Sequence, residues 1–187
     1  MMRKAIGAML GSLGLAAIAG TVLIRRRPRP TRGNLGVKIE RSVTVADSPQ
    51  TLYRFWRDFR NLPRVMSNLE SVRLLSPNRS HWTVKGPAGT RIEWDAEIIN
   101  DVPGEVIGWR TADGSTITHA GSVNFDRTRD GAATVVRVSL QYDPPGGELT
   151  HDLAALAGVD AGQQIAEDLV SFKRAWERGT LAQISGW

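Results

Sequence analysis

Cysteine is absent from this chain, which excludes disulfide scaffolds, Cys-ligated zinc and thiol nucleophiles together. Acidic residues are missing from its first 32 positions, which hold seven basic ones: Arg3, Lys4, Arg25, Arg26, Arg27, Arg29 and Arg32. The whole chain of 187 residues carries 24 Lys and Arg against 19 Asp and Glu, a net +5. Beyond Arg32 the balance is 17 basic to 19 acidic, a net of −2 over 155 residues. The basic character thus belongs to the N-terminal segment, which argues against a globally basic nucleic-acid-binding domain and against nucleic acid as a partner. A phosphate-binding glycine loop, a dinucleotide fingerprint and a serine-nucleophile elbow are all lacking. Nothing in the pattern calls for a cofactor. His81, His119 and His151 lie on different elements without zinc-ligand spacing.

Charge is also missing from Ala5 to Ile24, a run of 20 residues. As a helix it would measure roughly 30 Å, the thickness of a bilayer's hydrocarbon core. The expectation is a retained membrane anchor over 1–24, spanning at 5–24, with Arg25, Arg26 and Arg27 at the headgroups. A cleaved signal peptide is the rival, since Arg3 and Lys4 precede the run and Ala17-Ile18-Ala19 resembles a cleavage site. The dense positive charge directly after the run resists translocation. A nucleic-acid or anionic-lipid patch made by RRRPRPTR reads more simply as a membrane flank. Two basic residues before the span and five after it place the large domain in the cytoplasm, as a single-pass inner-membrane protein. Gly7, Gly11 and Gly14 share a helical face that would permit homo-oligomeric pairing, although small residues are common in such helices. Residues 25–35 read as a basic Pro/Gly linker.

The soluble domain, 36–179, begins with a strand. Val37, Ile39, Val43 and Val45 alternate with polar residues. Ser48-Pro49 caps and starts a helix with Leu52, Phe55, Trp56 and Phe59 on one face, and Asn61-Leu62-Pro63 restarts a second through about Met66. Period-two segments follow at Ser71–Leu75, His81–Lys85, Arg91–Ile99, Val106–Thr111, Ile117–Phe125 and Thr134–Tyr142. Turn signals such as Pro103-Gly104, Asp113-Gly114 and Asp130-Gly131 separate them. After Pro144-Pro145-Gly146-Gly147 the chain is helical, with Asp160 as a cap and Ile165, Leu169, Phe172 and Trp176 in a stripe. Residues 180–187 form a tail. A one-sided sheet must bury its apolar face, and the C-terminal helix is the available cover. The fold class is α+β, a helix-grip (START-like) curved antiparallel sheet around a long C-terminal helix, preceded by one transmembrane helix.

The stretches SPQTLYRFWRDFRNLPRVMSNLESV, SHWTVKGPAGTRIEWDAEIINDVPGEVIGWRT, GSVNF, VSLQYDPPGG and EDLVSFKRAWERG resemble successive blocks of polyketide cyclase/dehydrase-type proteins of the SRPBCC superfamily. They are most similar to its membrane-anchored bacterial branch, related to coenzyme-Q-binding START proteins. The resemblance spans about Ile39 to Gly179 and implies a cavity between sheet and helix used for lipids, isoprenoids, polyketides or hormones.

Strand parity gives the candidate lining: Trp82, Trp94, Trp109, His119, Phe125 and Tyr142, with Arg41 at an apolar parity where it would hold an anionic headgroup or reach solvent. Three of the six tryptophans lie there, each with an N–H for one polar group of a greasy ligand. Three readings stay open. The leading one is a membrane-anchored domain binding a small hydrophobic molecule such as a lipid, isoprenoid or quinone. The second is a cyclase or dehydratase using His119 and Tyr142 as acid/base groups, although no carboxylate or nucleophile accompanies them. The third is a structural or interaction module with a filled core. Glu93, Asp95 and Glu97 alternate on one strand as a solvated sheet face does, and no metal site is expected from them.

Overall fold

Alternating apolar and polar residues make seven strands. The computed structural model, which describes residues 37–86, 89–113, 115, 118–143 and 161–181, joins them in one antiparallel sheet. The described residues all belong to the unit Asn34–Trp187. The strands are β1 (Val37–Val45), β2 (Leu69–Ser76), β3 (Arg79–Lys85), β4 (Arg91–Val102), β5 (Val106–Thr111), β6 (Thr118–Arg127) and β7 (Thr134–Asp143). Their order is β1-β7-β6-β5-β4-β3-β2, so β2 to β7 form a meander that β1 closes by pairing with β7. Consecutive strands thereby become neighbours through short turns, while β1 and β2 stand at opposite edges. Register shifts at Glu70, Leu75 and Ile99 mark bulges, and such bulges bend and twist a sheet. The strand expected to end at Ile99 continues past its bulge to Val102, leaving Ile99 58% exposed.

Two short helices bridge the edges. Helix α1 (Pro49–Arg57) starts where Ser48 Oγ accepts the Thr51 N–H at 3.2 Å and Pro49 occupies the first turn. It buries Leu52, Phe55 and Trp56. Tyr53 donates to Asp101, which also takes Arg57 Nε at 2.7 Å, tying α1 to the end of β4. The second helix differs from the sequence expectation: it is a 3-10 turn over Phe59–Arg64 rather than a helix from Asn61 to Met66. The Asp58 carboxylate accepts the Arg60 N–H at 3.1 Å and pairs with its guanidinium at 2.8 and 2.7 Å, so the cap forms three residues earlier. That shift swings Phe59 under the sheet, where it is 1% exposed.

Helix α2 (Ala161–Glu177) crosses the inward face of the sheet and is fastened near both edges. Near β1, Lys173 Nζ donates to Thr44 O at 2.7 Å, Glu177 accepts the Ala46 N–H at 3.2 Å, and Trp176 Nε1 donates to Asp47 at 3.0 Å. Ahead of β2, the buried Asp168 accepts the Ser67 N–H at 3.2 Å and Gln164 donates to Ser67 Oγ at 2.8 Å. Between these ends Leu169 and Phe172 face the core, with Phe172 against Phe55, Trp56 and Trp176 at centroid distances of 5.4 to 5.7 Å. Gly179, at φ +73°, closes the helix with Thr180 N–H to Ala175 O at 3.0 Å. Among the described residues no helix is long and apolar enough to cross a membrane. The span expected over 5–24, Arg25 to Arg27, the Gly7, Gly11 and Gly14 face, the Asp160 cap and residues 182–187 lie outside the described residues.

Candidate ligand site

The two faces of the sheet differ in chemistry. Outward, Asp95 pairs with Arg79 at 2.9 Å and with His81 Nδ1 at 2.8 Å, Glu97 with Arg110 at 2.6 Å, and Arg91 with Glu70 at 2.6 Å. The His81 hydrogen bond, then that of Arg79, holds the Asp95 carboxyl below its ordinary range. The carboxylates at 93, 95 and 97 therefore serve a solvated, charge-paired face.

Inward, β3, β4 and β5 each contribute one tryptophan. Trp82 is the cross-strand partner of Trp94, and the rings of Trp94, Trp82 and Trp109 stack with Trp82 in the middle, at 6.0 and 6.1 Å and within 18° of parallel. Phe59 caps the stack edge-on at 5.1 Å from Trp82 and 5.5 Å from Trp109. Each such aromatic pair contributes about 0.5–1.5 kcal/mol beyond its area burial. Strand β5 stops at Thr111, with Ala96 as its last partner on β4. Beyond that end Trp94 reaches His119 of β6, at a ring distance of 5.8 Å.

The hydrogen-bond account of this cluster is incomplete. Trp82 Nε1 donates to Ser80 Oγ at 2.8 Å. Trp94 Nε1, Trp109 Nε1 and His119 Nδ1 are buried and have no partner. Burial also pushes the His119 imidazole down to about 4, so at neutral pH the ring is uncharged. Trp56 Nε1 is a fourth buried nitrogen without a partner, but it belongs to α1, where the indole meets Phe172 edge-to-face.

Of the other expected lining residues, Phe125 is buried near the far end of β6 against Tyr53, at 6.0 Å, as part of the core beneath α1. Tyr142 pairs directly with His119 in the β6–β7 ladder, and its side chain lies outside the described residues. Arg41 is exposed, donates to Glu40 O at 2.8 Å, and lies over Gly162 in the first turn of α2, where a Cβ would come within 2.4 Å of Nη2. The structure thus brings Trp82, Trp94, Trp109 and His119 together and leaves Phe125 and Arg41 apart from them. A groove of about 360 Å³ on the outer side of α2, lined by Gln163, Ala166, Glu167, Val170, Ser171 and Arg174, is open and mixed in polarity and lies away from this chemistry.

Residues 45–170 match the family described as polyketide cyclase / dehydrase and lipid transport. The chain belongs to this family. A 17.2 kDa protein encoded in the melC2-rnhH intergenic region of Streptomyces lincolnensis is 32% identical over 151 residues, covering 80% of this chain and 95% of its own. The crystal structure of DR_A0006 from Deinococcus radiodurans is 34% identical, covers 76% of this chain and 99% of its own, and superposes with a TM-score of 0.63. The Zhui aromatase/cyclase of Streptomyces sp. R1128, at 22% identity and a TM-score of 0.58, covers 77% of this chain and 95% of its own, and shares the fold. The architecture is START-like.

Within this polyketide cyclase / dehydrase domain, sequence parity missed three residues that shape the cluster. Gly121 lies on the inward face of β6 between His119 and Val123. A Cβ there would sit 2.4 Å from Trp109 Cζ2 and 2.9 Å from Leu140, so the bare backbone is the seat of the Trp109 indole. A glycine inside an otherwise regular strand is the signal that marks such a close approach. Ser80, 3% exposed, is the built-in acceptor for Trp82. By its spacing Phe59 falls on the stripe of the first helix, and only the earlier 3-10 cap puts it on the tryptophans.

Proposed function

We propose that this domain binds a small hydrophobic ligand, of the lipid, isoprenoid or quinone kind, between the sheet and α2, with Trp82, Trp94, Trp109 and His119 at the binding surface. The observation that carries this reading is the pair of indoles and the imidazole whose buried nitrogens have no partner in an otherwise apolar, aromatic layer. Leaving such a group unmatched costs about 1–3 kcal/mol, a cost that a bound ligand with acceptor atoms would offset. The family description, which includes lipid transport, points the same way. The uncharged run over 5–24 and its basic flank support a cytoplasmic domain held beside the bilayer that supplies the ligand, where tethering raises its effective concentration. Native mass spectrometry of full-length protein extracted from membranes tests the binding: a co-purifying small apolar molecule is expected, and its absence together with no uptake from lipid vesicles overturns the reading. A reporter fused after Trp187 tests the topology, with cytoplasmic activity expected.

A second reading is favoured by one observation, the direct pairing of His119 with Tyr142 across β6 and β7. In a cyclase or dehydratase these two would act as base and acid on a carbonyl substrate, with the neutral imidazole taking the proton. No carboxylate orients His119 among the described residues, which favours binding over turnover. A polyketide-like substrate consumed by the wild type and at least about 100-fold more slowly by His119→Ala would establish the enzyme, and equal rates would end that reading.

A further inference from the structure

The three stacked indoles present the same chemistry three times, and the fold satisfies only one of them. The acceptor for Trp82 stands two residues earlier on its own strand, at Ser80. The corresponding positions on the neighbouring strands are Ile92, two before Trp94, and Ile107, two before Trp109. The two flanking indoles are therefore denied the partner that the middle one has. An indole can only donate, so whatever completes them must bring acceptors.

The surroundings narrow the class further. The inward positions on β3 to β6 nearest the cluster are Trp82, Val84, Ile92, Ala96, Ile98, Ile107, Thr111, Gly121 and Val123, none of them ionisable. Thr111 Oγ1 already accepts the backbone N–H of His119, at 3.2 Å. Asp168, the buried carboxylate of α2, is engaged by Ser67 and Gln164. A charged ligand group placed here would lose its hydration without gaining a counter-charge. His119 is neutral at physiological pH because burial disfavours its charged form, so it does not supply one.

We propose that the ligand is an uncharged molecule with carbonyl-type acceptor oxygens on an apolar body, read by the N–H groups of Trp94 and Trp109, with His119 Nδ1 as a further unmatched polar atom beside Trp94. This rests on the binding reading above and specifies its chemistry. The Trp94 and His119 rings lie 5.8 Å apart and tilted by 57° past the end of β5, so one acceptor sits at Trp94 beside His119, and Trp109, seated on Gly121, addresses a second further along the same face.

The test uses the full-length protein in detergent micelles and three probes of similar shape: dodecanophenone, which has a ketone, dodecylbenzene, which has no acceptor, and para-dodecylbenzoate, which is an anion. Isothermal titration calorimetry is expected to show the ketone bound about tenfold more tightly than the hydrocarbon, the value of one net hydrogen bond, and the benzoate no better than the hydrocarbon. Ile92→Ser, which offers Trp94 an internal acceptor as Ser80 does for Trp82, is expected to erase most of the preference for the ketone. Ile92→Ala, which removes the same bulk without the hydroxyl, keeps it. Trp94→Phe, which retains a ring but no donor, should behave like Ile92→Ser. Equal wild-type affinity for ketone and hydrocarbon, or tightest binding of the benzoate, overturns this inference and leaves hydrophobic binding standing. No heat and no retained probe with any of the three overturns both.

Discussion

The outer and inner faces of the sheet handle polar groups in opposite ways. On the outer face every carboxylate from 93 to 97 has a polar partner: Glu93 lies 3.8 Å from His81 Nε2, Asp95 is held by His81 and Arg79, and Glu97 by Arg110. On the inner face the polar atoms are few, and Trp94 Nε1, Trp109 Nε1 and His119 Nδ1 are unmatched. Surface pairs in water are worth little and are replaceable by solvent. Unmatched donors in a dry layer are expensive and cannot be. This contrast is what supports placing the proposed ligand on the apolar side rather than on the charged one.

That comparison can be broken in several ways. The largest effect is expected from Trp82→Ala, which removes the middle of the stack and the contact with Phe59. A loss of about 3–5 kcal/mol in urea-denaturation stability should follow. A loss below about 1 kcal/mol would mean that the stack is not part of the stabilising core.

Acidification should come next. His119 has its folded value near 4, below its ordinary 6.5. Between those values the unfolded chain takes up a proton that the folded chain refuses, so stability falls as pH drops from about 6.5 to 4 and levels off below. The drop is at most about 3 kcal/mol. Asp95, whose carboxyl is held low, loses its contribution only in the more acidic range. Measuring wild type and His119→Leu in parallel separates the two, because only the wild type should weaken above pH 4 from this source.

Filling the seat of Trp109 tests the same layer by overpacking. Gly121→Val should cost about 1–3 kcal/mol and alter the near-ultraviolet circular dichroism of the stacked indoles. At neutral pH, His119→Leu should be neutral or stabilising by about 1 kcal/mol in the unliganded protein, since it removes an unmatched polar nitrogen while the leucine keeps an apolar contact with Trp94. Smallest of all, Glu97→Gln on the outer face should change stability by less than about 1 kcal/mol, and less still at high salt. A large effect there and none at His119 would invert the comparison.

Much of the scaffold could be read from residue order. Strand β5 falls on Val106–Thr111 and β1 on Val37–Val45, as period-two alternation predicts. Asp130-Gly131 turns the chain between β6 and β7 because Gly131 adopts φ +73°, which a glycine does without strain. Of the positions that parity turns inward, Trp82, Val84, Trp94, Ala96, Ile107, Trp109, Val123, Phe125, Val136 and Val138 are buried, whereas Ile92, Ile98, His119 and Leu140 are half-buried. Less legible was which of these residues meet. Phe125 and His119 share a parity but belong to different ends of β6, one under Tyr53 and one beside Trp94. Arg41 shares an apolar parity too, yet it stands on an edge strand and passes over Gly162 to solvent.

The amino-acid sequence by itself determined the seven strands, the face most of their side chains take away from the bulges, the family, and the concentration of positive charge before the domain. Those follow from local periodicity, turn chemistry and composition, which act over a few neighbours. Only the tertiary structure decided that the tryptophans of β3, β4 and β5 stack, that Gly121 makes room for one of them, and that Ser80 satisfies one indole while two remain without partners. Such pairings depend on strand register and on where β5 ends, and register is set by the packing of the whole sheet rather than by any stretch within it.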